Sequence, residues 1–140
     1  MNKLKFAIVL SGLIACVSSS VAGELYVYEH NLSVINWAVV GDKIVATYAT
    51  PKPSLRAAGV KEEDILFKGV YDGDRIVGKA YAFKSGCSPA PYDVIGHATN
   101  DGYELRGPGP VRSKSGCDVI GYSAKSPHAV LRFTYSATHH

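Results

Sequence analysis

Two cysteines are the residues of this chain whose chemistry is easiest to anticipate. Cys87 and Cys117 are the thiols that remain if the N-terminal part of the chain, which includes Cys16, is removed during export. In an oxidising compartment such a pair forms a disulfide. Closing a loop of about 30 residues would stabilise a small domain by about 3 to 4 kcal/mol on the chain-entropy estimate. The alternative, a nucleophilic cysteine, needs a free thiolate beside a base.

Histidines supply the candidate general bases. They are His30, His97 and His128, with His139 and His140 at the end of the chain. None lies in a serine-hydrolase elbow, a zinc-protease helix, a phosphate-binding loop or a Cys-x-x-Cys motif. Catalytic triads are assembled in space, so a small hydrolase with a histidine and an acid stays an alternative. Isolated histidines on strands are more often packed or surface residues. The sequence therefore predicts no catalytic residue, metal site or cofactor.

The segment Asp72-Gly73-Asp74 has two interpretations. Aspartates close together are typical calcium ligands, but a calcium cage needs about six to eight oxygens. Asp-Gly also favours the positive φ of a tight hairpin turn. Because two aspartates supply too few ligands, we predict the hairpin.

Two loops carry the candidate binding residues. The first is SPAPY at 88–92, a proline-rich segment that follows Cys87 and presents Pro89, Pro91 and Tyr92. The second spans 51–59 and contains Arg56. Loops on a rigid scaffold are where partner contacts usually lie.

The aromatic residues have two interpretations. The nine tyrosines and Trp37 form either an aromatic binding face or, as is commoner in strands, ordinary sheet packing.

An internal echo in the second half of the chain supports the disulfide. KSGC at 84–87 recurs at 114–117, and DVIG at 93–96 recurs at 118–121. We expect two similar strands that begin beside each other, each preceded by a Gly-Cys pair. This arrangement would bring the two Cα atoms to about 4.4 to 6.8 Å, as a disulfide requires.

Turn signals recur every eight to twelve residues, which is typical of an antiparallel sandwich or barrel. The two prolines of 51–59 favour one short helix or an ordered loop, and 107–110 (GPGP) is predicted to be a rigid loop without regular pairing. The predicted fold is therefore all-β: a small antiparallel barrel or sandwich of about eight strands with one short helical turn and one disulfide. Besides the two echo strands, the predicted strands are 25–29, 34–40, 44–48, 65–71, 75–83, 103–106 and 129–135.

The first 22 residues are predicted to be a signal peptide, and 23–140 a single β domain. Lys3 and Lys5 precede an apolar stretch too short to span a membrane, and small residues follow it. An alternative is the lipobox-like LIAC at 13–16, in which Cys16 would be acylated and anchor the protein to a membrane. Both outcomes imply export, to the periplasm or the medium in the first case. No transmembrane segment is expected in the mature form.

Charge gives little indication of a nucleic-acid partner. Loss of Lys3 and Lys5 lowers the basic count from 15 to 13 against 12 acids, so the net charge falls from +3 to +1. Only Arg106, Arg112 and Lys114 lie near one another, and such a group is more often a solvated surface than an anion site. Nucleic-acid binders need clustered positive charge, so we expect none here.

Several motifs together resemble a family. They are YEHNLS at 28–33, PSLRAAGV at 53–60, LFKG at 66–69 and GCSPAPY at 86–92. The chain resembles, over nearly all of its mature length, an uncharacterised β domain of alphaproteobacteria. That domain occurs as a stand-alone exported protein and also appended to bacterial caspase-like proteins. The caspase catalytic block is absent here, so the resemblance implies no protease activity.

The leading functional hypothesis is a non-enzymatic periplasmic or envelope binding or accessory module, with an inhibitor as one form of it. Export, a disulfide-braced scaffold and Pro/Gly-rich loops motivate this hypothesis, and the partner would be a protein or an envelope polymer. The hydrolase is one alternative. Another is a carrier of a small apolar ligand, which requires a barrel with an open interior.

Overall fold

The computed structural model describes Gly12 and residues 23–139, so the rest of the predicted signal peptide, with Cys16, lies outside the described residues. No helix in the described part is long and apolar enough to cross a membrane. The elements are β1 (Glu24–His30), β2 (Ser33–Val40), β3 (Lys43–Thr50), α1 (Pro53–Ala57), β4 (Ile65–Asp72), β5 (Arg75–Ala82), β6 (Ala90–Ala98), β7 (Gly102–Arg106), β8 (Gly109–Arg112), β9 (Val119–Ser123) and β10 (Val130–His139).

Eight of these strands close into an antiparallel barrel. Their order around the barrel is β1-β10-β7-β6-β5-β4-β3-β2, and β8 and β9 form a separate two-stranded sheet between β7 and β10 in the chain. Closure leaves no unpaired sheet edge in the barrel. The predicted all-β fold, with its short helix and disulfide, is confirmed as a barrel.

The two ends of the barrel differ in their connections. At one, which we call the turn end, short turns join β2 to β3, β4 to β5 and β6 to β7. Gly41 and Gly73 take positive φ there, as tight hairpins require. The other, the loop end, carries α1, the disulfide loop and the β8–β9 hairpin. The hairpin predicted at 72–74 is thus present, and Asp72 accepts a hydrogen bond from Arg75 Nη2 at 2.8 Å.

Aromatic side chains fill the middle of the barrel. Trp37 is fully buried and stacks on Tyr103, with ring centroids 4.8 Å apart and planes 2° apart. The ring centroid of Phe67 lies 5.9 Å from that of Trp37. The ring of Phe133 contacts Trp37 edge to face, with centroids 5.2 Å apart. In a small barrel the inward side chains fill the interior, and here these large rings close it at the level of Trp37.

The predicted disulfide is confirmed. The sulfurs of Cys87 and Cys117 lie 2.05 Å apart and their Cα atoms 5.4 Å apart. The bond joins the loop after β5 to the β8–β9 hairpin. Two cations reinforce this junction: Lys84 Nζ donates to the Gly116 carbonyl at 2.7 Å, and Arg112 donates to the Cys117 carbonyl at 2.8 Å.

Two local predictions are wrong. Residues 107–110 are not an unpaired loop, because Gly109 and Pro110 begin β8, with Pro110 opposite Tyr122 of β9. A two-stranded sheet consists of edge strands, which tolerate a residue without an N–H. The echo strands also differ in their surroundings: β6 pairs with β5 and β7, whereas β9 pairs with β8. The disulfide joins the segments that precede β6 and β9, but the strands are not sheet neighbours.

Candidate functional site

A cavity of 460 Å³ lies at the loop end and is partly open to solvent. It differs from a surface groove because inward-facing barrel side chains line it together with α1 and the loops. Its tyrosines come from β3, β5 and β6, and are Tyr48, Tyr81 and Tyr92. Its apolar lining consists of Leu55, Leu66, Phe83, Pro127, Val130 and Leu131.

The fold creates this cavity because the aromatic core stops short of the loop end. Leu66 and Leu131 are buried inward residues near the first positions of their strands. Leu55 packs against the core from α1 and closes one side. Phe83 follows β5 and meets Tyr48 edge to face, with centroids 5.8 Å apart. The longer connections therefore build walls above a filled barrel.

Tyr92 links β6 to the segment that precedes β10, which forms one wall of the cavity. Its hydroxyl donates a 2.6 Å hydrogen bond to the backbone carbonyl of His128, in the segment that leads into β10. Burial raises the pKa of Tyr92, and neighbouring Tyr48 adds to the effect. The prediction that Tyr92 sits in an exposed loop is wrong: it is an inward residue of β6 with 4 % exposure. The proline-rich segment is extended, and the strand alternation turns Pro91 outward and Tyr92 inward.

His30 sits at the cavity in a defined orientation. Its Nδ1 lies 2.9 Å from the backbone carbonyl of Arg132, and its ring stacks on Phe133 at 4.9 Å. Since a carbonyl oxygen only accepts, Nδ1 carries the proton and Nε2 is free of any partner in the described part of the chain. Burial lowers the pKa of His30 from 6.5; the carbonyl bond opposes this change, and the charge of Lys52 adds to it.

Lys52 brings a cation to the same place. It immediately precedes α1, and its backbone N–H donates to Ser33 Oγ at 2.9 Å. Its half-buried side chain lines the cavity, and within residues 23–139 its ammonium has neither an ion pair nor a hydrogen bond. Arg132 differs, because its exposed side chain turns outward and donates to Glu104 Oε2 at 3.0 Å.

His128 and His97 lie at opposite ends of the barrel. His128 lines the cavity, and burial lowers its pKa, with the charge of Arg112 acting in the same direction. His97 lies at the turn end, beside Tyr71 and Tyr103. Two of the three candidate bases thus share a cavity, and no Asp or Glu is among its described lining residues. The chemical character of the cavity is apolar walls with a basic rim.

The remaining candidate binding residues lie elsewhere. Arg56 is exposed on α1, where its Nε donates to the Pro51 carbonyl at 3.1 Å and its Nη2 lies 3.6 Å from Glu62 Oε1. Pro89 and Pro91 line a groove beside the disulfide. Tyr92 is thus the one candidate binding residue that lines the cavity, whereas Arg56, Pro89 and Pro91 do not.

Sequence reasoning missed Lys52 and Leu55 as cavity residues. They lie in PKPSLRA at 51–57, the segment that was singled out for Arg56. A pattern with Leu55 on one side of the helical turn and Arg56 on the other was the available signal, since an apolar residue in a short polar helix usually faces the protein. A lysine in a loop has no comparable signature.

Comparison of the chain with protein-family models, with curated proteins and with solved structures returned no match. The cavity geometry therefore carries the functional argument.

Proposed function

We propose that this protein is a non-enzymatic, exported binding module that holds a small ligand with an apolar body in the loop-end cavity. The observation that carries the proposal is the 460 Å³ cavity at the barrel mouth. Ligand pockets typically have about 300 to 1,000 Å³ and are mostly apolar, with a few placed polar groups. At about 30 Å³ per water, the cavity has room for a ligand of roughly ten to fifteen non-hydrogen atoms.

The make-up of the lining favours binding over hydrolysis. A nucleophilic mechanism needs a serine or cysteine beside a base, and a triad also needs an acid that orients the base. The described lining residues include His30 and His128 but no serine, cysteine, aspartate or glutamate. His30 Nδ1 is held by a backbone carbonyl instead of a carboxylate. These features support a recognition role for the two histidines.

The core determines where a carried ligand would lie. Trp37, Phe67 and Phe133 are buried at 1 % exposure or less and occupy the middle of the barrel. A ligand threaded along the barrel axis would have to displace them. The ligand therefore binds at the mouth. A protein that carries a small apolar ligand would hold it there and not inside the barrel.

Export and partners belong to the same proposal. The Cys87–Cys117 bond supports an oxidising compartment, because reduced thiols prevail in the cytosol. We place the protein in the periplasm or outside the cell, with anchoring through Cys16 as the alternative. A protein or envelope polymer that presents a small group to the loop end is the partner most consistent with an accessory module.

Calorimetric titration of the purified protein with 1-naphthol, a neutral and largely apolar probe of a size that the cavity can hold, tests the proposal. We expect saturable binding that Leu55→Trp weakens at least tenfold, since the larger side chain occupies the cavity. Val45→Trp is the matched control, because Val45 lies on the outer face of β3 at 37 % exposure. Absence of saturable binding, or equal loss in both variants, would overturn the proposal.

A further inference from the structure

Resting on the proposed function, we infer that the cavity ligand is a small amphipathic anion. Its negative headgroup lies between the Lys52 ammonium and His30 Nε2, and its apolar body lies along Leu55 and Phe83. The shared chemistry is a carboxylate or phosphate on an apolar chain or ring.

The ionisable residues that line the cavity are basic, which favours an anion as the ligand. Lys52, His30 and His128 line the cavity, and no carboxylate is among its described lining residues. Arg132 is also a lining residue, but its guanidinium pairs with Glu104. A ligand in this position therefore meets the Lys52 ammonium and two imidazoles, with no carboxylate among the described lining residues.

Lys52 is unlike the other cations near the barrel surface. Arg75, Lys79 and Arg106 each pair with a carboxylate, and Lys84 donates to two backbone carbonyls. Lysines such as Lys68 without a pair in the described residues are exposed to water, which solvates them. Lys52 is instead only partly exposed, lines the cavity and has no pair among the described residues. An anionic headgroup would supply the missing partner.

His30 provides the second contact. Its ring is fixed by the Arg132 carbonyl on Nδ1 and by stacking on Phe133, so the position of Nε2 is set before a ligand arrives. Such preorganisation reduces the cost of binding. A neutral Nε2 accepts, whereas a protonated one donates to an anion. An incoming anion therefore favours proton uptake by His30 on binding.

Proton uptake is a separate readout of this geometry. The groups that face His30 from neighbouring elements are the Lys52 ammonium and the Arg132 carbonyl; the Arg132 guanidinium is turned toward Glu104. We expect calorimetric enthalpies of anion binding at pH 7 to depend on the ionisation enthalpy of the buffer. His30→Gln should reduce that dependence, whereas replacement of the other cavity imidazole, His128→Gln, should leave it unchanged. His30→Gln should also retain most of the affinity, because Lys52 remains.

The decisive experiment compares octanoate, 1-octanol and octylammonium as probes of equal chain length. We expect octanoate to bind at least tenfold more tightly than the other two. Lys52→Gln should weaken octanoate binding about tenfold and leave 1-octanol unchanged, in line with a charge-assisted hydrogen bond. The control Lys68→Gln removes the same charge from the outer face of β4 and should leave all three affinities unchanged.

The outcomes separate the two proposals. If 1-octanol binds as tightly as octanoate and Lys52→Gln has no effect, the anion inference is wrong, but the cavity remains a binding site for neutral apolar ligands. If Lys68→Gln weakens octanoate as much as Lys52→Gln does, long-range charge explains the preference and the headgroup position is wrong. If neither 1-naphthol nor any of the three probes binds, the proposed function itself is wrong.

Discussion

The ring of His30 stacks on the ring of Phe133, with centroids 4.9 Å apart and planes 26° apart. Phe133 in turn meets Trp37 at 5.2 Å. The cavity and the aromatic core are therefore parts of one packed unit. One ring, that of Phe133, therefore links His30 to the chain's single tryptophan.

Acid should destabilise the barrel through His30. Its pKa is lowered in the folded protein, mainly by burial, so the unfolded chain takes up protons first as the pH falls below 6.5. Stability then falls with decreasing pH over that window. Urea unfolding at pH 7.5, 6.5 and 5.5, monitored by Trp37 emission, should show this loss. His30→Gln should reduce it and His97→Gln at the turn end should not; an unchanged pH profile in His30→Gln would contradict the assignment.

Reduction of the disulfide should lower the free energy of unfolding by about 3 to 4 kcal/mol, on the chain-entropy estimate for a loop of about 30 residues. Lys84 and Arg112 still hold the junction through backbone carbonyls, so the barrel should remain folded. Urea unfolding with and without reductant measures the difference. The double variant Cys87→Ala with Cys117→Ala should match the reduced protein and be insensitive to reductant. Equal stability with and without reductant would be inconsistent with this role.

Alanine at Gly78 should destabilise the barrel by about 1 to 3 kcal/mol, the usual cost of overpacking. Gly78 pairs with Gly69 across β5 and β4, and a Cβ at Gly78 would lie 2.3 Å from the Lys68 carbonyl oxygen and 2.8 Å from the Phe67 ring. Gly121→Ala is the matched control, because nothing lies within 4 Å of its Cβ position. Thermal unfolding of both variants tests the prediction, which fails if they lose the same stability.

Glycine at Leu32 should stabilise the protein by about 1 kcal/mol. Leu32 has a φ of 67° and is 89 % exposed, so its β-carbon is strained while its side chain makes little contact. Glycine relieves that strain, whereas alanine retains the β-carbon. We therefore expect a higher midpoint of thermal unfolding for Leu32→Gly and no gain for Leu32→Ala. A gain in both variants would point to removal of the exposed apolar side chain instead.

The fold class was predictable because its signals are local. Alternation in β3 places Ile44, Ala46 and Tyr48 on one face, and all three are buried. The turn at Gly73 was also predictable, since positive φ is a property of the residue itself. Tyr92 was misplaced because proline marks loops and outward strand positions equally well, and only the sheet partners distinguish them.

The sequence by itself determined a chain of short amphipathic strands, tight turns and two thiols able to bond, because backbone preference and alternation act over a few residues. Tertiary structure alone decided that Lys52 and His30, 22 positions apart, meet at one cavity. The pairing of β1 with β2 and of β2 with β3 brings the end of β1 and the segment before α1 to the same mouth, and the pairing of β1 with β10 brings the Arg132 carbonyl to His30. The local sequence around either residue does not encode this arrangement, because it depends on contacts between separate strands.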